Sequence, residues 1–109
     1  MKSRTREEWL EWYKERTGCE DLNLQSDELI LFHPEHGFIA YFTNGDVFEL
    51  HHMCGDGKYW VRIIQKIARF EGTAKIRAFT YRNPQAWIRK YGGRITGYEM
   101  ECDIDELKV

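Results

Sequence analysis

The chain has 109 residues, 42% of them hydrophobic and 31% charged, with a formal net charge of −2. That length suits one domain with one core, and the composition excludes wholesale disorder; no apolar run reaches membrane-spanning length. Cys19, Cys54 and Cys102 are odd in number and widely spaced, which suits reduced thiols better than a disulfide framework. The stretch MKSRTREEWLEWYKER lacks the apolar core of a signal peptide, so the expected location is cytoplasmic.

Taken in order, Thr5-Arg6-Glu7-Glu8 has the capping-box pattern, a Thr followed three residues later by Glu. It predicts a helix over 5–17, with Trp9, Leu10, Trp12, Tyr13 and Arg16 on one side and Gly18 as its stop. Residues 19–27 are polar and irregular. A meander over 28–52 follows. Its first strand runs from Glu28 to His33, and Pro34-Glu35-His36-Gly37 turns the chain. The second strand, Phe38 to Thr43, sets Phe38, Ala40 and Phe42 on one face. Asn44-Gly45 is a strong hairpin signal and predicts antiparallel pairing with a third strand, Asp46 to His52. Strict alternation puts Glu49 and His51 on one face of that strand and His52 on the other, with Phe48 and Leu50.

The turn Cys54-Gly55-Asp56-Gly57 leads into a helix over 58–71, where Trp60, Ile63, Ile64, Ile67 and Ala68 recur three and four apart on one face. Gly72 ends it, and a β-rich run over 74–81 follows. A strand, a helix and a strand in this order predict a crossover between parallel strands. Asn83-Pro84 opens a short helix over 84–91 that Gly92-Gly93 closes. A last strand, 94–104, alternates Tyr98, Met100 and Cys102 with Glu99, Glu101 and Asp103. The expected fold is a single α+β domain over 1–109, in the order α-β-β-β-α-β-α-β, with a mixed, mostly antiparallel sheet.

Charge is unevenly distributed. Residues 51–94 hold ten Lys or Arg against Asp56 and Glu71, and the flanks carry the acidic excess. Arg62, Lys66 and Arg69 stripe the exposed side of the predicted 58–71 helix. Such a stripe serves as solvent cover, as a match for the acidic ends, or as a surface for a phosphorylated ligand. Nucleic acid is a weak third reading, because no recognised binding motif accompanies the bases.

Residues 38–103 resemble the second half of the GCN5-related N-acetyltransferase (GNAT) fold. The resemblance is carried by the order of elements and by Ala74-Lys75-Ile76-Arg77-Ala78-Phe79-Thr80 followed by Asn83-Pro84-Gln85-Ala86-Trp87-Ile88-Arg89-Lys90-Tyr91-Gly92-Gly93. It suggests a short phage-type or bacterial protein, in host cytoplasm if phage-encoded. It implies acetyl-CoA or CoA as ligand, held at Gly55, Gly57, Lys58 and Tyr59 at the start of the long helix and at Asn83. It also implies a small amine as acceptor, with Glu49 or His51 as base on the strand before the cofactor loop. The sequence departs from that family at three places. Tyr59 and Trp60 stand at or beside the loop's last small residue, and Asp56 brings negative charge to the phosphate position. Ile88 replaces the Tyr that often acts as general acid. The family's first strand and one early helix have no counterpart in residues 1–27.

On chemistry alone, Glu49 and His51 are of the right type to take a proton near neutral pH. His33, His36, His51, His52 and Cys54 match no metal-ligand spacing, so no metal is expected. Cys54, before two glycines, is a nucleophile by type, though Asp56 opposes thiolate formation. Two functions follow: an acetyl-CoA-dependent N-acetyltransferase, or a non-catalytic protein on the same fold that contacts a protein partner or forms a homodimer.

Overall fold

The computed structural model describes residues 3–19, 22–79, 83–97 and 105. Its elements are α1 (Arg6–Thr17), β1 (Leu29–His33), β2 (Gly37–Asn44), β3 (Val47–Gly55), α2 (Gly57–Glu71), β4 (Lys75–Ala78) and α3 (Pro84–Tyr91). The order α-β-β-β-α-β-α and the mixed sheet agree with the expectation from sequence. Arg94 to Gly97 have no strand conformation, and the rest of the expected last strand lies outside the described residues.

The capping box forms: Thr5 Oγ1 accepts from the Glu8 backbone N–H at 3.1 Å, and Glu8 Oε1 accepts from the Thr5 N–H at 3.0 Å. Only Trp9 and Tyr13, one turn apart, are buried on α1. The helix is held by those two rings and by one carbonyl. Pro34 O accepts from Arg4 N at 2.9 Å and from Trp9 Nε1 at 2.8 Å, tying the start of α1 to the β1–β2 turn.

The sheet has the order β1-β2-β3-β4. β1 and β2 are antiparallel, as are β2 and β3, whereas β4 lies parallel to β3. The β2–β3 hairpin closes through Gly45 and Asp46, between the paired Asn44 and Val47. Gly45 has φ +63°, the positive value a tight hairpin turn of matching twist requires. The predicted 58–71 helix, here α2, is the crossover, and it lays Trp60, Ile64 and Ala68 on Ile39, Tyr41, Phe48 and Leu50. The opposite face holds Trp9, Tyr13, Phe38 and Cys54, so each face of one sheet has its own core.

β3 differs from the expectation in two ways. It continues past His52 through Cys54 and Gly55, because Gly37 pairs with Gly55 at the far end of the hairpin. The register also shifts between Ala40 and Tyr41: Tyr41 faces Leu50 and Ala40 faces His52, leaving His51 as the extra residue of a β-bulge. The bulge reverses the alternation. His52 therefore lies on the α1 face with Cys54, not with Phe48 and Leu50 as strict alternation predicts.

Other boundaries move by short distances. β1 starts at Leu29 rather than Glu28, α2 starts at Gly57 with Asp56 as its cap, and β4 ends at Ala78. Thr80 and Tyr81, in the predicted run, lie outside the described residues.

Candidate functional site where β3–β4 pairing ends

β4 pairs with only the first part of β3, from Val47↔Lys75 to Leu50↔Ala78. The last bond is Phe79 N–H to Leu50 O at 3.1 Å. No β4 residue pairs with β3 beyond Leu50, and the bulge at His51 is the first residue past that point. Parallel pairing ends where the bulge begins.

His51 is not alone there. Its Nδ1 is bonded to Glu28 Oε1. Its ring meets Phe42 and Phe79 edge-on, with centroids 5.0 and 5.2 Å away. The Glu28 side chain is almost wholly buried, and its second oxygen, Oε2, has no hydrogen-bond partner among the described residues. A carboxylate at Nδ1 fixes that nitrogen as the N–H of the neutral ring and leaves Nε2 with a lone pair to accept a proton. Glu49, the other predicted base, is buried on the same face, opposite Phe42; Asn44 Nδ2 donates to its Oε2 at 3.4 Å.

His52 has a different role. Its Nε2 lies 3.0 Å from the Leu22 carbonyl and so carries the proton, which makes Nδ1 the acceptor for the Tyr13 hydroxyl at 2.8 Å. Burial lowers its pKa, against the opposing pull of the Leu22 carbonyl and Glu28. A neutral, enclosed imidazole of this kind pins α1 and the Leu22 segment to the sheet.

The expected cofactor loop is the start of α2. Gly55 is the last residue of β3, with φ +100°. Asp56 caps the helix: Oδ1 accepts from Tyr59 N–H at 3.3 Å, and Oδ2 lies 3.1 Å from His36 Nδ1. The Tyr59 N–H, with His36 assisting, holds the Asp56 pKa below its usual value. The Tyr59 ring stacks on His36, 3.9 Å between centroids and 9° between planes. A Cβ on Gly57 would lie 2.0 Å from the Tyr91 hydroxyl, so α3 closes against this first turn. Lys58 is exposed. Asn83 caps α3, its Oδ1 accepting from Gln85 N–H at 2.9 Å. The donors that a helix start offers to an anion are thus partly taken by the chain's own carboxylate, and the approach to Gly57 by its own phenol.

The predicted site residues therefore fall into two groups. Glu49 and His51 share one face beside the end of β3–β4 pairing; Gly55, Gly57, Lys58 and Tyr59 lie at the other end of β3, and Asn83 stands apart at α3. Glu28 is the residue sequence reading passed over. Its only signal is a carboxylate opening an apolar strand.

The remaining candidates are accounted for by packing. His33 and His36 lie 4.5 Å apart, but His33 Nδ1 accepts from Glu35 N–H. Among the described residues no three His, Cys, Asp or Glu side chains are grouped to hold a metal ion. Cys54 is buried, which pushes its pKa up to about 12 and removes the thiolate a nucleophile needs. Among the described residues no helix is long and apolar enough to cross a membrane. Comparison of the chain with protein-family models, with curated proteins and with solved structures gave no match.

Proposed function

We propose that this chain is a small GNAT-type acyltransferase that moves an acetyl group from acetyl-CoA to an amine, with His51 as base and Glu28 as the carboxylate that orients it. The observation behind this reading is the bulge at His51 beside the end of β3–β4 pairing. A strand that loses its neighbour exposes backbone to a ligand, and a bulge re-aims a side chain toward that opening. The amine nitrogen attacks the thioester carbonyl, the C–N bond forms, and the C–S bond breaks with sulfur leaving as thiolate. The amine proton passes to His51 Nε2, and Glu28 stabilises the resulting imidazolium through Nδ1. Glu49, on the same face, favours a cationic amine at the approach. The pyrophosphate would take the place of the Asp56 carboxylate at the α2 start, because two anions cannot share those N–H groups.

A second reading rests on that same cap. With Asp56 on the Tyr59 N–H and Tyr91 against Gly57, the cradle is closed, and the fold serves as a non-catalytic scaffold for a protein partner. Calorimetric titration with CoA and acetyl-CoA separates the two. The enzyme reading expects micromolar binding that tightens in Asp56→Asn, and amine acetylation lost in His51→Ala with binding kept. No binding at millimolar ligand in either form overturns it in favour of the scaffold.

A further inference from the structure

Every charged side chain on the outer side of α2 is a cation. Lys58, Arg62 and Lys66 are exposed at steps of four residues, and Arg69 is exposed beside them. Each step is about 6 Å along the axis, and residues four apart share one side of a helix. Phe70 continues the row one turn past Lys66, and its ring is 92% exposed. Trp60, Ile64 and Ala68 are taken by the core, so Phe70 is the large apolar side chain of α2 that stands free in solvent. The one carboxylate of the helix, Glu71, stands two turns past Ile64, on the side that packs on the sheet; there it joins burial in raising the Tyr41 pKa. None of the four cations makes an ion pair among the described residues.

We propose that this row binds single-stranded nucleic acid, with phosphates on Lys58, Arg62, Lys66 and Arg69 and one unpaired base stacked on Phe70. A polyanion meets four unpaired cations there, with no carboxylate on the same side of the helix to oppose it. The ring then chooses among polyanions. A base has a flat π-face that stacks on an aromatic side chain, and only in a single strand is that face open. A peptide of Asp and Glu offers no such face. A lipid surface takes up a helix by its apolar side, and that side of α2 already lies on the sheet. The row is about 18 Å long, room for a few nucleotides. The chain as a whole carries −2, so attraction acts at the row rather than at long range, and affinity stays in the non-specific range of roughly 10⁻⁴–10⁻⁶ M. The site is independent of the His51 chemistry, which lies across the sheet from α2 beside Phe42.

The test is fluorescence anisotropy of a labelled oligothymidylate of about 12 nucleotides, within the site sizes of single-strand binders, titrated with the whole chain. With four phosphates neutralised, log affinity should fall against log salt with a slope of about −2.8, a loss of about 50-fold between roughly 50 and 200 mM. Lys66→Gln should make that slope shallower by about 0.7. Phe70→Ala should leave urea unfolding unchanged, since the ring is exposed; it should weaken binding roughly five- to 150-fold and keep the slope. Phe70→Trp should restore the affinity. Lys14→Gln makes the same charge change on α1, which covers the opposite face of the sheet, and should leave binding as it is. No anisotropy change up to millimolar protein at the lower salt overturns the proposal. So does a Phe70→Ala chain that binds as well as wild type, or a Lys14→Gln chain that weakens as much as Lys66→Gln. Polyglutamate that displaces the strand at equal charge overturns it in favour of an acidic protein partner, and anionic vesicles that do so overturn it in favour of a lipid surface.

Discussion

Replacing Gly55 by alanine tests the close backbone approach between β2 and β3 at the Gly37–Gly55 pair. A Cβ there would lie 2.2 Å from the His36 carbonyl oxygen, where real Cβ contacts essentially never fall under 3.0 Å. The obstacle is backbone, so β2 and β3 must part at that end. The carbonyl that would move also accepts from Asp56 N–H at 2.9 Å and Trp60 Nε1 at 2.7 Å. Loosening these two bonds costs about 1 kcal/mol each. Holding alanine at φ +100° adds roughly 1–3 kcal/mol. The expected loss is about 3–5 kcal/mol, a large share of the ~5–15 kcal/mol that holds a domain together. The control is Gly72→Ala, whose φ is also positive at +73° but whose Cβ would meet nothing within 4 Å; it should lose only about 1–2 kcal/mol. Urea unfolding of both variants measures the difference directly. If Gly55→Ala is no less stable than Gly72→Ala, the reading of the Gly37–Gly55 crossing is wrong.

Three further outcomes follow from the same contacts. Asp56→Ala should lose about 1 kcal/mol, the usual value of an N-cap. The Asp56 pKa is lowered in the fold, so its contribution is present above the unfolded value near 3.9 and fades as pH falls through the folded one; wild-type and Asp56→Ala stabilities should converge in strong acid. His52 has a lowered pKa, so below pH ~6.5 the unfolded chain takes up more protons than the folded one. Stability should therefore drop on acidification by up to about 1.4 kcal/mol per pH unit, and His52→Gln should flatten that slope in pH-dependent urea melts. In a Cys19→Ser, Cys102→Ser background, the remaining thiol of Cys54, with its pKa near 12, should resist iodoacetamide at pH ~8 while folded and react on unfolding. Labelling of the native chain at the rate of a free thiol would contradict its burial.

The helices were legible because their signals are local. Thr5 with Glu8, Asn83 with Pro84, and the spacing of Trp60, Ile64 and Ala68 each lie within a turn or two of chain. The hairpin was legible from Asn44-Gly45 for the same reason. What the sequence did not disclose depends on partners far along it. Nothing in His51-His52 marks one of them as an extra residue; the bulge exists because both ends of the hairpin, Asn44↔Val47 and Gly37↔Gly55, are fixed and β3 is one residue longer between them. Gly55 reads locally as a turn, and becomes strand only because Gly37 leaves room for it. Glu28 acquires its role from a histidine that three consecutive strands bring alongside. Asp56 caps α2, a role that an Asp just before a helix signals locally, whereas the resemblance makes it only a misplaced negative charge.

Every residue of β4 is exposed, and β4 joins the sheet through four residue pairs whose partner strand is reached only across α2. By contrast the β2–β3 hairpin needs a two-residue loop, and its central residues are fully enclosed. Contacts between near neighbours form early and cheaply in entropy, whereas pairing across a long crossover comes late. The molecule should thus open in two stages of unequal free energy. Amides of β4 exchange with solvent at a rate set by local release, while those of Ile39, Tyr41 and Leu50 wait for global unfolding. β4, whose last pair with β3 lies next to His51, is therefore the strand that can come away without dissolving either core.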